Sequence, residues 1–305
     1  MPITFISSPA CLLHDMDPEH PEQPARLHSI NDQIISSGVE FAINFADTPP
    51  AELVQLYRAH DNQFVDNIIK EAPTEGHKWL DDDTLMMPKS LDAALYAAGS
   101  GVHAVDLIMS GDSKKAFCAV RPPGHHAQYA KSGGFCIFNN IAVAALHALD
   151  QYGLKKVAII DFDVHHGNGT EDIFKDDPRV LFCSSFQHPF YPFSGDKPTN
   201  EHILNIPIPA GTKGPEYREM VKPWFEKLDD FAPEMIFISA GFDGHAEDAL
   251  GHLRLVEADY EWVTLQIKQI ADKHCGGKIV SMLEGGYALS ALSRSVVSHI
   301  KALMT

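Results

Sequence analysis

The chain has 305 residues, 45% hydrophobic and 21% charged, a globular composition at a size that one α/β domain commonly reaches. Its formal net charge of −17 argues against nucleic acid as a direct ligand and suits cationic partners such as lysine-rich peptides or polyamines. No apolar run approaches the roughly 20 residues of a membrane span, and Met1-Pro2-Ile3-Thr4-Phe5 lacks a basic region and a long apolar segment, so neither membrane association nor a secretory signal is expected. Five scattered cysteines without a Cys-x-x-Cys pair fit reduced thiols and a cytoplasmic protein.

In chain order, Ile3 to Ile6 reads as a strand. The segment from Cys11 to Arg26, rich in Pro, His and acids, reads as a loop that leads through Pro24 and Arg26 into an amphipathic helix with Leu27, Ile30 and Ile34. Helices follow around 52–58 and 61–70, then a long Ala-rich helix over 90–109, capped by Ser90 and closed by Gly111. The segment 116–120 is a short strand ending in the turn Arg121-Pro122-Pro123-Gly124-His125-His126, and 137–152 is a helix. Strands are expected at 180–184, 203–206, 235–240 and 278–283, with helices over 215–228, 256–273 and 289–304. This alternation predicts an α/β chain, one domain over 1–305 with a mostly parallel sheet covered on both faces.

The chain is organised around Ile159-Ile160-Asp161-Phe162-Asp163-Val164-His165-His166-Gly167-Asn168-Gly169. Val157 and Ala158 make the start of this stretch a buried parallel strand, and alternation along it would put Asp161, Asp163 and His165 on one face. Two buried carboxylates and an imidazole demand a cationic partner, and a divalent metal such as zinc suits them. Three other strand ends are equally polar: His125-His126, Ala240-Gly241-Phe242-Asp243 and Glu284-Gly285-Gly286-Tyr287. In a parallel sheet all carboxyl ends share one edge, so these groups converge. Asp243 then completes a set with Asp163 and His165, and three protein ligands with an open position are the catalytic form of a zinc site.

Metal-assisted amide hydrolysis gives the remaining residues work. A neutral histidine can take a proton from water and return it to the leaving amine. A tyrosine hydroxyl can donate to the developing oxyanion. Asp161 can accept from one of the tandem histidines and favour its cation, while Asn168 can hold the other without favouring charge.

These motifs, with Gly134-Phe135-Cys136-Ile137-Phe138-Asn139-Asn140 and the leading His20-Pro21-Glu22, Pro24 and Arg26, resemble the zinc-dependent histone deacetylase family, which includes bacterial deacetylase-like amidohydrolases and acetylpolyamine amidohydrolases. The resemblance covers nearly the whole chain. It implies a three-layer α/β/α domain around an eight-stranded, mostly parallel sheet of the arginase/deacetylase type. It implies zinc on Asp163, His165 and Asp243, His126 as general base and acid, and His125 as its electrostatic partner paired to Asp161. Tyr287 would bind the acyl carbonyl. Gly134 and Phe135 would line one wall of an acyl-lysine tunnel and Phe193 the other, with Arg26 near its inner end. The family also binds a monovalent cation, typically potassium, here expected at the backbone of Asp161, Asp163 and His165 and the hydroxyl of Ser184. Asn168 stands where class I members carry Asp, which places the chain with class II and bacterial members. Leu250, in the departing loop Gly244-His245-Ala246-Glu247-Asp248-Ala249-Leu250-Gly251, stands where a polyamine-selective relative carries Glu. The expected activity is removal of acyl groups from lysine in proteins or peptides. The alternatives are an acetylpolyamine or other small-amide amidohydrolase, a catalytically dead acyl-binding module, and a two-metal hydrolase of arginase type.

Overall fold

A computed structural model describes residues 3–17, 19–197 and 199–305; Pro18, within the expected N-terminal loop, lies outside them. Eight parallel strands form the main sheet: β1 (Ile3–Ser7), β2 (Ile43–Asp47), β5 (Lys115–Ala119), β6 (Val157–Asp161), β7 (Val180–Gln187), β8 (Ile203–Ile208), β9 (Met235–Ala240) and β10 (Ile279–Leu283). Their order is β2-β1-β5-β10-β9-β6-β7-β8. A small antiparallel pair, β3 (Lys78–Trp79) and β4 (Leu85–Met86), stands apart. The central strands are continuous apolar runs because helices cover both faces. Every residue of β6, β9 and β10 is buried.

One group of helices packs Ser90–Ser110 on Asn140–Tyr152, and another packs Ala25–Ser36, Glu257–His274 and Leu289–Met304 together. The sheet thus becomes the middle layer, with a core running from Ile3 to Leu303. No helix among the described residues is long and apolar enough to cross a membrane. The five cysteines are buried, each with a free thiol.

The order of the strands positions the site. β5, β10, β9 and β6 are four neighbours in the middle of the sheet, although they are far apart in the chain. The polar segments after them therefore open side by side on one edge.

Several local expectations need correction. The edge strand β2 was not anticipated: only Ile43 of its five residues is buried and Phe45 faces solvent, so the run carries no inward-outward signal. Ser90 does not cap its helix. Lys89 takes the cap position, and the Ser90 hydroxyl accepts the Met87 N–H and meets His14 Nδ1 at 2.8 Å. The helix expected from 137 starts at Asn140, because the Asn139 side chain accepts the Ala142 N–H and ends the extended segment there. The helix expected over 215–228 is two, Gly214–Met220 and Lys222–Phe231. Pro223 has no N–H to give to the preceding turn, and the chain re-enters the helix at Val221. A short helix, Asn168–Phe174, leaves the central motif directly, and a 3-10 turn over Pro9–Leu13 runs into the start of the N-terminal loop.

Candidate active site

β6 ends at Asp161, so strand alternation does not gather the acidic and imidazole groups beyond it. The chain turns instead, and the side chains hold the turn. Asp161 Oδ1 accepts the Asp163 N–H at 3.1 Å, and Asp163 Oδ1 accepts the His165 N–H at 2.9 Å. From the neighbouring β9 end, Asp243 Oδ1 accepts the Val164 N–H at 2.9 Å. From β10, the Gly285 N–H donates to Asp163 Oδ2 at 2.9 Å. Space is tight enough to demand glycine twice: a Cβ on Gly241 would overlap the Asp163 carboxylate, and one on Gly285 the Asp243 carboxylate.

The result brings one ligand atom each of Asp163, His165 and Asp243 within 4.8 Å of one another. His165 Nδ1 lies 3.1 Å from Asp163 and 3.2 Å from Asp243 Oδ2. Both carboxylates are fully buried, and Asp243 Oδ2 has no hydrogen-bond partner among the described residues. Two buried carboxylates beside one imidazole leave an uncompensated negative site, which is what a divalent cation with mixed N/O preference fits.

The tandem histidines hang between β5 and this cluster. Glu284 fixes their backbone: its Oε2 accepts the Gly124 and His125 N–H groups at 2.7 and 3.1 Å. Burial, opposed by His125, pushes the Glu284 carboxyl up to about 7. Further back, Arg121 pairs with the buried Glu22 at 2.6 Å and donates to the carbonyls of Cys11 and His14, anchoring the start of the loop.

The two imidazoles then meet different partners. His125 Nδ1 is 2.8 Å from Asp161 Oδ2, and His126 Nδ1 is 2.7 Å from Asn168 Oδ1. Burial opposes charge on both. At His125 the carboxylates of Asp161, Asp163 and Glu284 outweigh it and raise the pKa well above the ordinary value. At His126 burial acts together with the charges of His125 and His165, and the pKa falls well below. With Nδ1–H given to Asn168, Nε2 is the nitrogen of His126 that can accept a proton.

Of the cluster, His165 forms part of the floor of a cavity of about 210 Å³, with the buried Asp163 and Asp243 carboxylates beside it. His125, His126 and His165 reach into it from below, Gly134, Phe135, Phe190 and Tyr191 wall it, and Leu250 and Tyr287 also line it. Tyr287 is half-buried, and burial, only partly offset by Arg26, holds its phenol well above the usual pKa. The hydroxyl stays protonated and able to donate.

Most sequence-derived positions converge here, and two do not. Phe193 is not a wall: it takes φ 60°, its N–H closes a turn onto the Phe190 carbonyl at 2.7 Å, and its ring is 74% exposed. Phe190, stacked on His165 with ring centroids 5.4 Å apart, and Tyr191, 5.2 Å from the His126 ring, occupy that side. Arg26 does not line the cavity either. It lies behind Tyr287, 5.0 Å from the ring, fully buried and donating to the carbonyls of Gly286 and Glu284. Ser184 is buried beside Asp161, its register partner on β7, with no hydrogen-bond partner for Oγ among the described residues. Sequence reasoning missed Asp83, Phe190 and Tyr191. Asp83 reaches the cavity from the β3–β4 hairpin and accepts the Gly134 N–H at 3.0 Å, while Thr84 Oγ1 accepts the Phe135 N–H at 3.1 Å. Nothing in an acidic hairpin tip announces that role; for Phe190 and Tyr191 the available signal was the aromatic pair just before Pro192.

Known proteins similar to this chain are numerous. The family described as histone deacetylase domain matches residues 20–303. A protein named probable deacetylase from Archaeoglobus fulgidus is 35% identical over 287 residues, covering 91% of this chain and 79% of that one. The histone deacetylase-like amidohydrolase of Pseudomonas aeruginosa is 32% identical, covering 93% and 75%. The crystal structure of the HDA15 HD domain superposes with a TM-score of 0.92 at 33% identity, over 99% of this chain and 88% of that one. With the same eight-stranded parallel sheet and a match from end to end, the chain belongs to the histone deacetylase family, a family of deacetylases and amidohydrolases.

Proposed function

We propose that the chain, as one catalytic domain, is a zinc-dependent deacylase that hydrolyses the side-chain amide of acyl-lysine in proteins or peptides. The observation that carries this reading is the pairing of a neutral, Asn-held His126 with the Asp163, His165 and Asp243 cluster on the floor of one narrow, apolar-walled cavity. Those three residues would hold the zinc ion, which supplies a Lewis acid for an amide carbonyl and for water. His126 takes the proton of the attacking water on Nε2 and later passes it to the departing lysine amine, so that the amide C–N bond breaks with a neutral leaving group. His125, held charged by Asp161, keeps a fixed positive charge beside that reaction and does not compete for the proton. Tyr287 donates its hydroxyl hydrogen to the acyl oxygen as charge develops there. Phe135, Phe190 and Tyr191 exclude water from the aliphatic lysine stem, and Leu250 borders its entry. The buried Ser184 Oγ, without a hydrogen-bond partner among the described residues, and the backbone of Asp161, Asp163 and His165 fit a structural monovalent cation, potassium by the family resemblance.

A second reading, hydrolysis of acetylated polyamines, draws support from the acidic chain and from Asp83 at the cavity. An apolar Leu250 at the rim favours the peptide. Turnover of an acetyl-lysine peptide and of acetylspermidine on the same zinc-loaded sample separates the two. We expect the peptide to give the higher kcat/KM; a clear preference for acetylspermidine would replace the first reading with the second, and no hydrolysis of either would remove both.

A further inference from the structure

Tyr287 stands where β10 gives way to the helix Leu289–Met304, one residue after Gly286 at φ 121°. A tyrosine on such a turn can be aimed only as well as its backbone is held. On one side the Gly285 N–H is fixed by Asp163 at 2.9 Å, and the Gly286 carbonyl by Arg26 Nε at 2.7 Å. On the other side the holder is Asp248, from the loop after β9. Its Oδ2 accepts the N–H groups of Tyr287 and Ala288 at 2.6 and 2.9 Å, and its Oδ1 accepts the N–H of Leu250 at 2.9 Å. Asp248 is only 7% exposed, so these bonds form away from water, where a carboxylate binds backbone donors most firmly. The following helix has no side-chain cap of its own at Ala288. Ala249 and Leu250, next to Asp248, both line the cavity.

We infer that Asp248 is a positioning residue for catalysis: it fixes the Tyr287 main chain so that the hydroxyl meets the acyl oxygen, and through Leu250 it ties that placement to the rim of the cavity. The inference rests on the reading of Tyr287 as the oxyanion donor. It differs from a bare helix-capping role, which would affect stability and leave the chemical step alone. It also differs from a substrate-binding role, because all three hydrogen bonds of its carboxylate are made to its own chain.

The test is a double-mutant cycle at equal metal loading: wild type, Asp248→Asn, Tyr287→Phe and the double variant, with kcat and KM on an acetyl-lysine peptide and thermal melting of each. Asp248→Asn keeps the shape, but its amide hydrogens oppose donors it should accept. A displacement of the hydroxyl by about an ångström costs on the order of a hundredfold in turnover, so kcat should fall roughly ten- to a hundredfold with KM nearly unchanged. In the Tyr287→Phe background the same substitution should cost less than about threefold, because the hydroxyl it positions is already gone. If Asp248→Asn does not fold, Asp248→Ser, which keeps one acceptor, runs the same cycle. Equal losses in both backgrounds, a change confined to KM or melting temperature, or wild-type turnover for Asp248→Asn would each overturn the inference. Tyr287→Phe with wild-type turnover would overturn the reading of Tyr287 and this inference with it. A large loss for Tyr287→Phe alongside additive Asp248→Asn sinks only the inference.

Discussion

At the floor of the cavity most polar groups have a fixed partner within the chain, whereas the mouth is a largely apolar collar with one carboxylate, Asp83, assembled from separate loops. Asp161 holds His125, Asn168 holds His126, Asp163 holds two backbone N–H groups, and Glu284 holds the loop that carries both histidines. The mouth takes Asp83, Phe135, Tyr191 and Leu250 from four different segments. Burial explains the difference. An unmatched charge on the floor would cost several kcal/mol, so floor positions accept few residue types. An apolar contact at the mouth can be made by many side chains on many backbones, and the mouth is where selectivity can vary without loss of chemistry.

The largest expected effect strikes the floor. Asp163→Ala, His165→Ala or Asp243→Ala removes one of three ligands, and metal and turnover should disappear together, read by elemental analysis and peptide turnover on one sample. Asp243→Ala that keeps a full metal equivalent would mean another group supplies the third ligand.

Next comes the contrast between the histidines. His126→Ala should cost about a hundred- to ten-thousandfold in kcat, the usual contribution of a general acid–base, and His125→Ala should cost less. If His125→Ala proves the less active variant, Asp161 and Asn168 divide the roles the other way. Tyr287→Phe follows, with metal content and fold retained and turnover reduced by roughly a hundred- to a thousandfold, the loss typical of one oxyanion donor. The deficit should shrink on trifluoroacetyl-lysine, whose carbonyl needs less help; an equal deficit on both acyl groups would place the hydroxyl elsewhere than on the oxyanion.

The smallest effect belongs to the mouth. Leu250→Glu should leave kcat on the peptide within a few-fold and raise kcat/KM for acetylspermidine up to roughly fivefold, since one partly solvated charge contact contributes about a kcal/mol at most. A collapse of peptide kcat in Leu250→Glu would show that the collar takes part in the chemistry and would blur the distinction between floor and mouth.

The same contrast decides what could be read from the chain. The floor was legible because each of its parts is a short contiguous run at a strand end, such as Asp161 to Asn168 or Glu284 to Tyr287, and parallel strands must open on one edge. Even there strand alternation is a false guide: Asp163 and His165 lie beyond the strand, gathered by side-chain-to-backbone bonds that alternation does not describe. The mouth was only partly legible. Gly134, Phe135 and Leu250 all line the cavity, but Phe193 turns to solvent, and Phe190 and Tyr191 line it instead. A shift of two or three residues around Pro192 is invisible to residue type, because all three side chains are aromatic. The edge strand β2 was missed for a related reason: with one neighbour and one buried residue, it leaves no period in the sequence.

The central claim is that one metal ion on Asp163, His165 and Asp243 works with His126 to hydrolyse acyl-lysine. The most direct measurement strips the protein with a chelator, adds zinc in steps, and follows bound metal and peptide turnover together. The account predicts no turnover in the stripped protein, and recovery that rises in proportion to zinc and levels off at one high-affinity equivalent. Turnover that persists without metal, or that appears only with a second tightly bound equivalent, would contradict it.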